Sequence, residues 1–219
     1  MVRGYTDIYQ SDLKDLIIKP NNVEVDFLVK LKHFDFSGKI DLLPCYRKSG
    51  KPIIVEHKTA SKIGDSYIDR LPLDTQIRGY IFGAQEGLGL HPVEVLYDVI
   101  RKCSLRRKSD EDLDDFNERI ALDYASRPEF YFFRETLKFN SSDIGQFVND
   151  MDLTFSEYSN IVDNYDPKNP ASWVCSDNIC NEFFKNCPYM PLCLKGLDKG
   201  TGKLYTQVDD DDSDELVNE

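Results

Sequence analysis

The stretch Pro52-Ile53-Ile54-Val55 runs directly into Glu56-His57-Lys58-Thr59, and it constrains this chain more than any other. Three consecutive large apolar residues read as a strand covered on both faces, the habit of a central strand. Charges follow at once, and charges beside a buried strand need partners. Side-chain alternation puts Glu56 and Lys58 on one face and turns His57 to the other. Just upstream, Val23, Val25, Phe27 and Val29 alternate with Glu24, Asp26 and Leu28, the pattern of a strand with one buried face. A second strand is expected over 33–45, interrupted at Gly38. The polar turn Lys48-Ser49-Gly50-Lys51 then predicts a hairpin into the strand at 52–58. Asp41 lies fifteen residues before Glu56, flanked by Ile40 and Leu42. Pairing of the two strands would let Asp41, Glu56 and Lys58 converge.

The rest of the chain supplies helices to cover such a sheet. Tyr5, Ile8, Tyr9, Leu13, Leu16 and Ile17 recur at helical spacing, predicting an opening helix that ends before Pro20. Further helices are expected over 74–85, 110–125 and 142–164, and strands over 93–100 and 130–139. Asp-Pro and Asn-Pro steps at 166–170 end the last helix. No internal repeat is evident. This order predicts an α/β (α+β) domain around a mixed central sheet.

With 41% hydrophobic residues in 219, the chain can bury a core, so wholesale disorder is excluded. No apolar run approaches the ~20 residues of a membrane span. The first ten residues lack a secretory pattern, so a soluble cytoplasmic protein, bacterial or in a phage-infected host, is expected. The net charge of −12 is uneven: residues 209–219 account for −7, leaving −5 for the rest. A nucleic-acid partner is therefore compatible with the acidic total, since binding needs only a local basic patch. Arg101, Lys102, Arg106, Arg107 and Lys108 form one candidate; the competing reading is a solvated loop.

Two carboxylates with a lysine are what a hard divalent cation and a phosphate substrate require: Mg²⁺ or Mn²⁺ on the acids, the lysine beside the attacking water. Gln76 and Tyr80, four apart on the helix expected over 74–85, share a face and can hydrogen-bond phosphates or bases. Four of the six cysteines, Cys175, Cys180, Cys187 and Cys193, fall within nineteen residues. In an intracellular chain such crowding points to a metal or cluster before disulfides, with [4Fe–4S] and tetrahedral Zn²⁺ chemically equivalent choices. Cys45 and Cys103 sit in strand contexts as core residues.

Taken in order, Gly38-x-x-Asp41, Glu56-x-Lys58-Thr59 and Gln76-x-x-x-Tyr80 resemble the PD-(D/E)xK nuclease superfamily, in particular its RecB-like branch. That branch includes AddB-type recombination nucleases, CRISPR-adaptation exonucleases and phage relatives. The resemblance spans residues 20–195 and implies a restriction-endonuclease-like fold. It further implies that Asp41 and Glu56 hold the metal, that His57 offers its backbone carbonyl, and that Lys58 is the catalytic lysine. Gln76 and Tyr80 would help position the DNA strand. Apart from the resemblance, Arg78 on the same helix is expected, with the basic group at 101–108, to contact substrate phosphates. Cys187-Pro-Tyr-Met-Pro-Leu-Cys193 is similar to the C-terminal segment of the iron–sulfur members, which favours a [4Fe–4S] cluster over zinc. One departure is plain. The branch usually carries a His or Glu in a helical region before the sheet, whereas only some forty residues precede Asp41 here; Glu24 and His33 are the candidate substitutes.

The expected organisation is a nuclease-like core over 1–170, a cysteine-rich knot over 171–197 and an acidic tail over 198–219. The expected function is a Mg²⁺- or Mn²⁺-dependent DNA exonuclease of phage or bacterial recombination, acting on single strands or duplex ends. A recombination or helicase protein is the expected partner. Two rivals are a non-catalytic DNA-binding or assembly subunit with the same fold, and a metallo-structural protein whose only metal is bound by cysteines.

Overall fold

The computed structural model describes residues 2–32, 34–166, 169, 186–195 and 203–205. The chain divides into two units, residues 1–152 and 153–219. In the first, helices α1 (Val2–Tyr9) and α2 (Asp12–Asp15) lead through the short strand β1 (Leu16–Ile17) into β2 (Val23–Lys30) and β3 (Asp35–Leu42). After β4 (Cys45–Tyr46) and β5 (Ile54–Ala60) come α3 (Asp65–Asp69), α4 (Thr75–Glu86) and β6 (Glu94–Arg101). Helices α5 (Leu113–Ser126) and α6 (Pro128–Tyr131) precede β7 (Phe132–Lys138), and α7 (Ser141–Asn164) straddles the division. Among the described residues of the second unit, Met190–Lys195 forms α8.

Five strands make the sheet in the order β2-β3-β5-β6-β7. β5 and β6 are parallel and joined through α3 and α4, while the other neighbours are antiparallel. The apolar run therefore lies, as its composition demands, on the central strand. Its alternation decides which layer each residue meets. Ile54 joins the main core with Val95, Val99, Ile77, Ile81 and Phe147, whereas Val55 and Ile53 join a second cluster with Leu16. Tyr124, Tyr131 and Phe132 build a third cluster, against which Tyr5 and Tyr9 of α1 pack.

Helix α4 starts at Asp74, whose carboxylate accepts the amides of Gln76 (2.8 Å) and Ile77 (3.3 Å). Such a cap stabilises a helix by about 1 kcal/mol. Two glycines let α4 lie close on the sheet. A Cβ at Gly79 would stand 2.9 Å from the Phe36 ring, and one at Gly83 would overlap the Phe27 ring.

Two expectations change. The opening helix breaks at Gln10–Ser11, and residues 16–17 leave it to pair with Tyr46 and Cys45. The strand expected over 33–45 ends at Leu42, because Leu43-Pro44 diverts the chain into β4 before it returns along β5. Pro44 cannot donate to a ladder. The turn at 48–51 is present, with Gly50 at φ +69°. It closes this excursion (Gly50 N–H to the Tyr46 carbonyl, 2.8 Å) instead of linking β3 directly to β5.

Candidate active site

Strands β3 and β5 pair at Leu42 and Val55, and one step along that antiparallel register sets Asp41 opposite Glu56. Past this point the strands separate, and Asp41 fills the gap: its Oδ2 accepts the His57 backbone N–H at 3.1 Å. Glu56 is completely buried. The Lys58 ammonium stands 2.5 Å from its Oε1. Apart from that ion pair, neither carboxylate oxygen has a hydrogen-bond donor among the described residues. Burial raises the Glu56 pKa from its ordinary value; the Lys58 contact opposes this and the Asp41 charge adds to it. Burial works against the Lys58 ammonium, but its contact with Glu56 outweighs that and leaves the pKa raised.

From Lys58 a chain of hydrogen bonds runs onto α4. The ammonium donates to Gln76 Oε1 at 2.8 Å, and the Gln76 amide donates to the Tyr80 hydroxyl at 2.7 Å. The three sequence segments, far apart along the chain, thus meet on one side of the sheet. A buried carboxylate short of donors, beside a second carboxylate, fits a hard cation, which would complete the coordination the protein leaves open.

The PD-(D/E)XK nuclease superfamily model matches residues 2–194. The chain belongs to this superfamily. No curated protein matches it. Membership agrees with the mixed helix-flanked sheet, a restriction-endonuclease-like architecture. No described helix of this nuclease-family chain is long and apolar enough to cross a membrane.

Arg78 requires a correction. The sequence reading set it among the substrate contacts, but it is 9% exposed. It donates to the Leu73 carbonyl (2.9 Å), lies 4.0 Å from Asp150 and sits over the Phe147 ring. Residues two apart on a helix do not share a face, so Gln76 and Tyr80 turn one way and Arg78 another. The basic segment is divided in the same sense. Arg101 is committed to the Phe130 and Ile63 carbonyls, whereas Lys102, Arg106, Arg107 and Lys108 are exposed.

Cys187 and Cys193 are half-buried. Cys175 and Cys180 lie outside the described residues, as does His33, so the four-cysteine site falls there too. Among the described residues no group of three or more His, Cys, Asp and Glu side chains is placed to hold a metal alone. Glu24 is exposed, with φ +50°, between the pairs Val23/Leu42 and Val25/Ile40 of the β2–β3 ladder.

Sequence reasoning missed a polar cluster on the opposite side of the sheet. Asp98, 1% exposed, receives Arg134 Nε and Nη2, both at 2.5 Å, and the Tyr5 hydroxyl, also at 2.5 Å. The signal was available: an aspartate in the middle of Val95-Leu96-Tyr97-Asp98-Val99-Ile100 must find a partner.

Proposed function

We propose that this chain is a Mg²⁺- or Mn²⁺-dependent DNA exonuclease of the RecB-like branch, working in phage or bacterial DNA recombination or processing. The observation that carries the reading is the buried Glu56 carboxylate, whose oxygens have Lys58 and no other donor among the described residues, with Asp41 beside it. Asp41, Glu56 and the His57 carbonyl would hold the ion. Bound there, it would supply Lewis-acid polarisation of the scissile phosphate and an acidified water. Lys58 orients the attacking water and sets positive charge beside the phosphoryl oxygens. Gln76 holds the ammonium in place and, with Tyr80, steers the DNA strand. The exposed Lys102, Arg106, Arg107 and Lys108 are the proposed source of phosphate attraction. Cys175, Cys180, Cys187 and Cys193 are proposed to hold a [4Fe–4S] cluster, or zinc, that staples the C-terminal segment.

The test is cleavage of end-labelled linear DNA, single- and double-stranded, against closed circular DNA, with Mg²⁺, Mn²⁺ or EDTA. The expected result is metal-dependent loss of label from linear substrate, absent in Asp41→Asn and Glu56→Gln. DNA binding without cleavage under all these conditions would instead make the chain a non-catalytic subunit.

A further inference from the structure

We propose that Tyr5, on α1, is a positioning residue that helps set the direction of the proposed metal-binding carboxylate of Asp41 from the far side of the sheet. This inference rests on the proposed metal site. His57 is the hinge of the argument, because it lies between Glu56 and Lys58 and faces the other way. The same residue meets Asp41 twice: its backbone N–H donates to Asp41 Oδ2 at 3.1 Å, and its ring Nδ1 lies 4.0 Å from that oxygen. Where the ring is held therefore bears on where the Asp41 carboxylate points.

The His57 ring is held by Tyr5. Its Nε2 lies 2.9 Å from the Tyr5 hydroxyl, which is itself 2.5 Å from Asp98 Oδ2. Asp98, already paired with Arg134, can only accept, so the hydroxyl proton goes to it and the Tyr5 oxygen accepts from His57 Nε2–H. Burial and Asp98 push the Tyr5 pKa far up, so that proton stays. Arg134 is in turn fixed by Asp12 of α2 (Nη1 to Oδ1, 3.0 Å) and covered by the Tyr9 ring, whose centroid is 3.8 Å from the guanidinium carbon. A network satisfied in this way is rigid. Docking α1 alone would not call for it: an apolar contact of similar volume holds a helix at least as well as a buried ion pair. What an apolar contact cannot do is orient an imidazole.

The test compares Tyr5→Phe, which loses one hydroxyl, with Tyr9→Phe, which loses a hydroxyl on the same helix but keeps the ring over Arg134. Mn²⁺ affinity is measured by calorimetry without DNA, and cleavage is measured across a Mg²⁺ titration. Tyr5→Phe is expected to weaken Mn²⁺ binding about tenfold, the lower end of what loss of a supporting partner costs. The half-saturating Mg²⁺ concentration should rise by a similar factor, with the rate at saturating metal close to wild type. Tyr9→Phe should change neither. His57→Ala cuts the link at its other end; it should shift Mn²⁺ affinity comparably, and adding Tyr5→Phe to it should cost nothing more. Unshifted Mn²⁺ affinity in Tyr5→Phe, or additive losses in the double variant, overturns the inference while the metal site stands. A wild-type protein that neither binds Mn²⁺ nor cleaves DNA overturns the parent reading and this inference together.

Discussion

Glu56→Gln should make the metal-free protein more stable, although it removes a residue of the proposed active site. Glu56 is completely buried, its one ion pair among the described residues is with Lys58 at 2.5 Å, and Asp41 repels it. Its folded pKa is raised, so the folded state binds the Glu56 proton more readily than the unfolded chain does. The stability it contributes is present below the ordinary carboxylate range and lost as pH rises through the raised pKa. At neutral pH the charge is thus a burden, and a neutral isostere relieves it. Losing the Lys58 contact cancels part of the gain, so the net rise is small. For a chain of this length each ~1 kcal/mol gained raises Tm by about 2–4 °C. Divalent metal should reverse the order. At a hundred times Kd, an ion gives the wild type about 2.7 kcal/mol and gives the variant almost nothing. Thermal unfolding followed in EDTA and then across a Mn²⁺ titration reads both effects. A variant less stable than wild type in EDTA, yet equally stabilised by Mn²⁺, would refute the view of Glu56 as an uncompensated metal-seeking carboxylate.

Lys58→Ala should abolish cleavage with the circular dichroism of the folded protein retained and Tm lowered, since the ammonium packs no core but offsets the buried Glu56 charge. Arg78→Ala should lower stability by about 2–3 kcal/mol in urea unfolding, through its lost carbonyl, aspartate and ring contacts, and should leave the salt dependence of DNA binding untouched. Charge reversal at Arg106, Arg107 and Lys108 should weaken DNA binding and flatten the slope of log affinity against log salt, measured by fluorescence anisotropy. Anaerobically purified protein should contain about four iron atoms per chain, or zinc in their place, and Cys187→Ser should lose that metal and expose the C-terminal segment to protease before cleavage is affected.

Local chemistry explains what could be read from the residues alone. The continuous apolar run at 53–55 has few uses other than a central strand, and Asp74 marks the start of α4 as a capping residue should. Period-two alternation separated Glu56 and Lys58 from His57, and the side chains divide that way across β5. The β4 excursion was hidden because a polar turn looks alike whether it links neighbouring sheet strands or closes a detour. Arg78 was misjudged from its composition, although helical geometry alone sets it apart from Gln76 and Tyr80. The Tyr5, Asp98 and Arg134 cluster left no spacing signature, since Tyr5 and Arg134 are 129 positions apart and only the folded sheet joins them.

The two glycines of α4 make the helix an adjustable mount. Where Gly79 and Gly83 meet the rings of Phe36 and Phe27, nothing larger than hydrogen can intervene, so ring thickness sets the height at which α4 rides above the sheet. Gln76 and Tyr80 travel with that height, whereas Lys58 stays with β5. A bulkier residue at either glycine would lift the Gln76 amide away from the ammonium without touching a polar group. A paired exchange, Gly83→Ala with Phe27→Leu, would exchange volume across the contact and could bring the helix back down. Hydrocarbon thickness beneath α4 is therefore a dial for the reach of the polar residues above it, one that can be turned by substitutions outside the Asp41, Glu56 and Lys58 group.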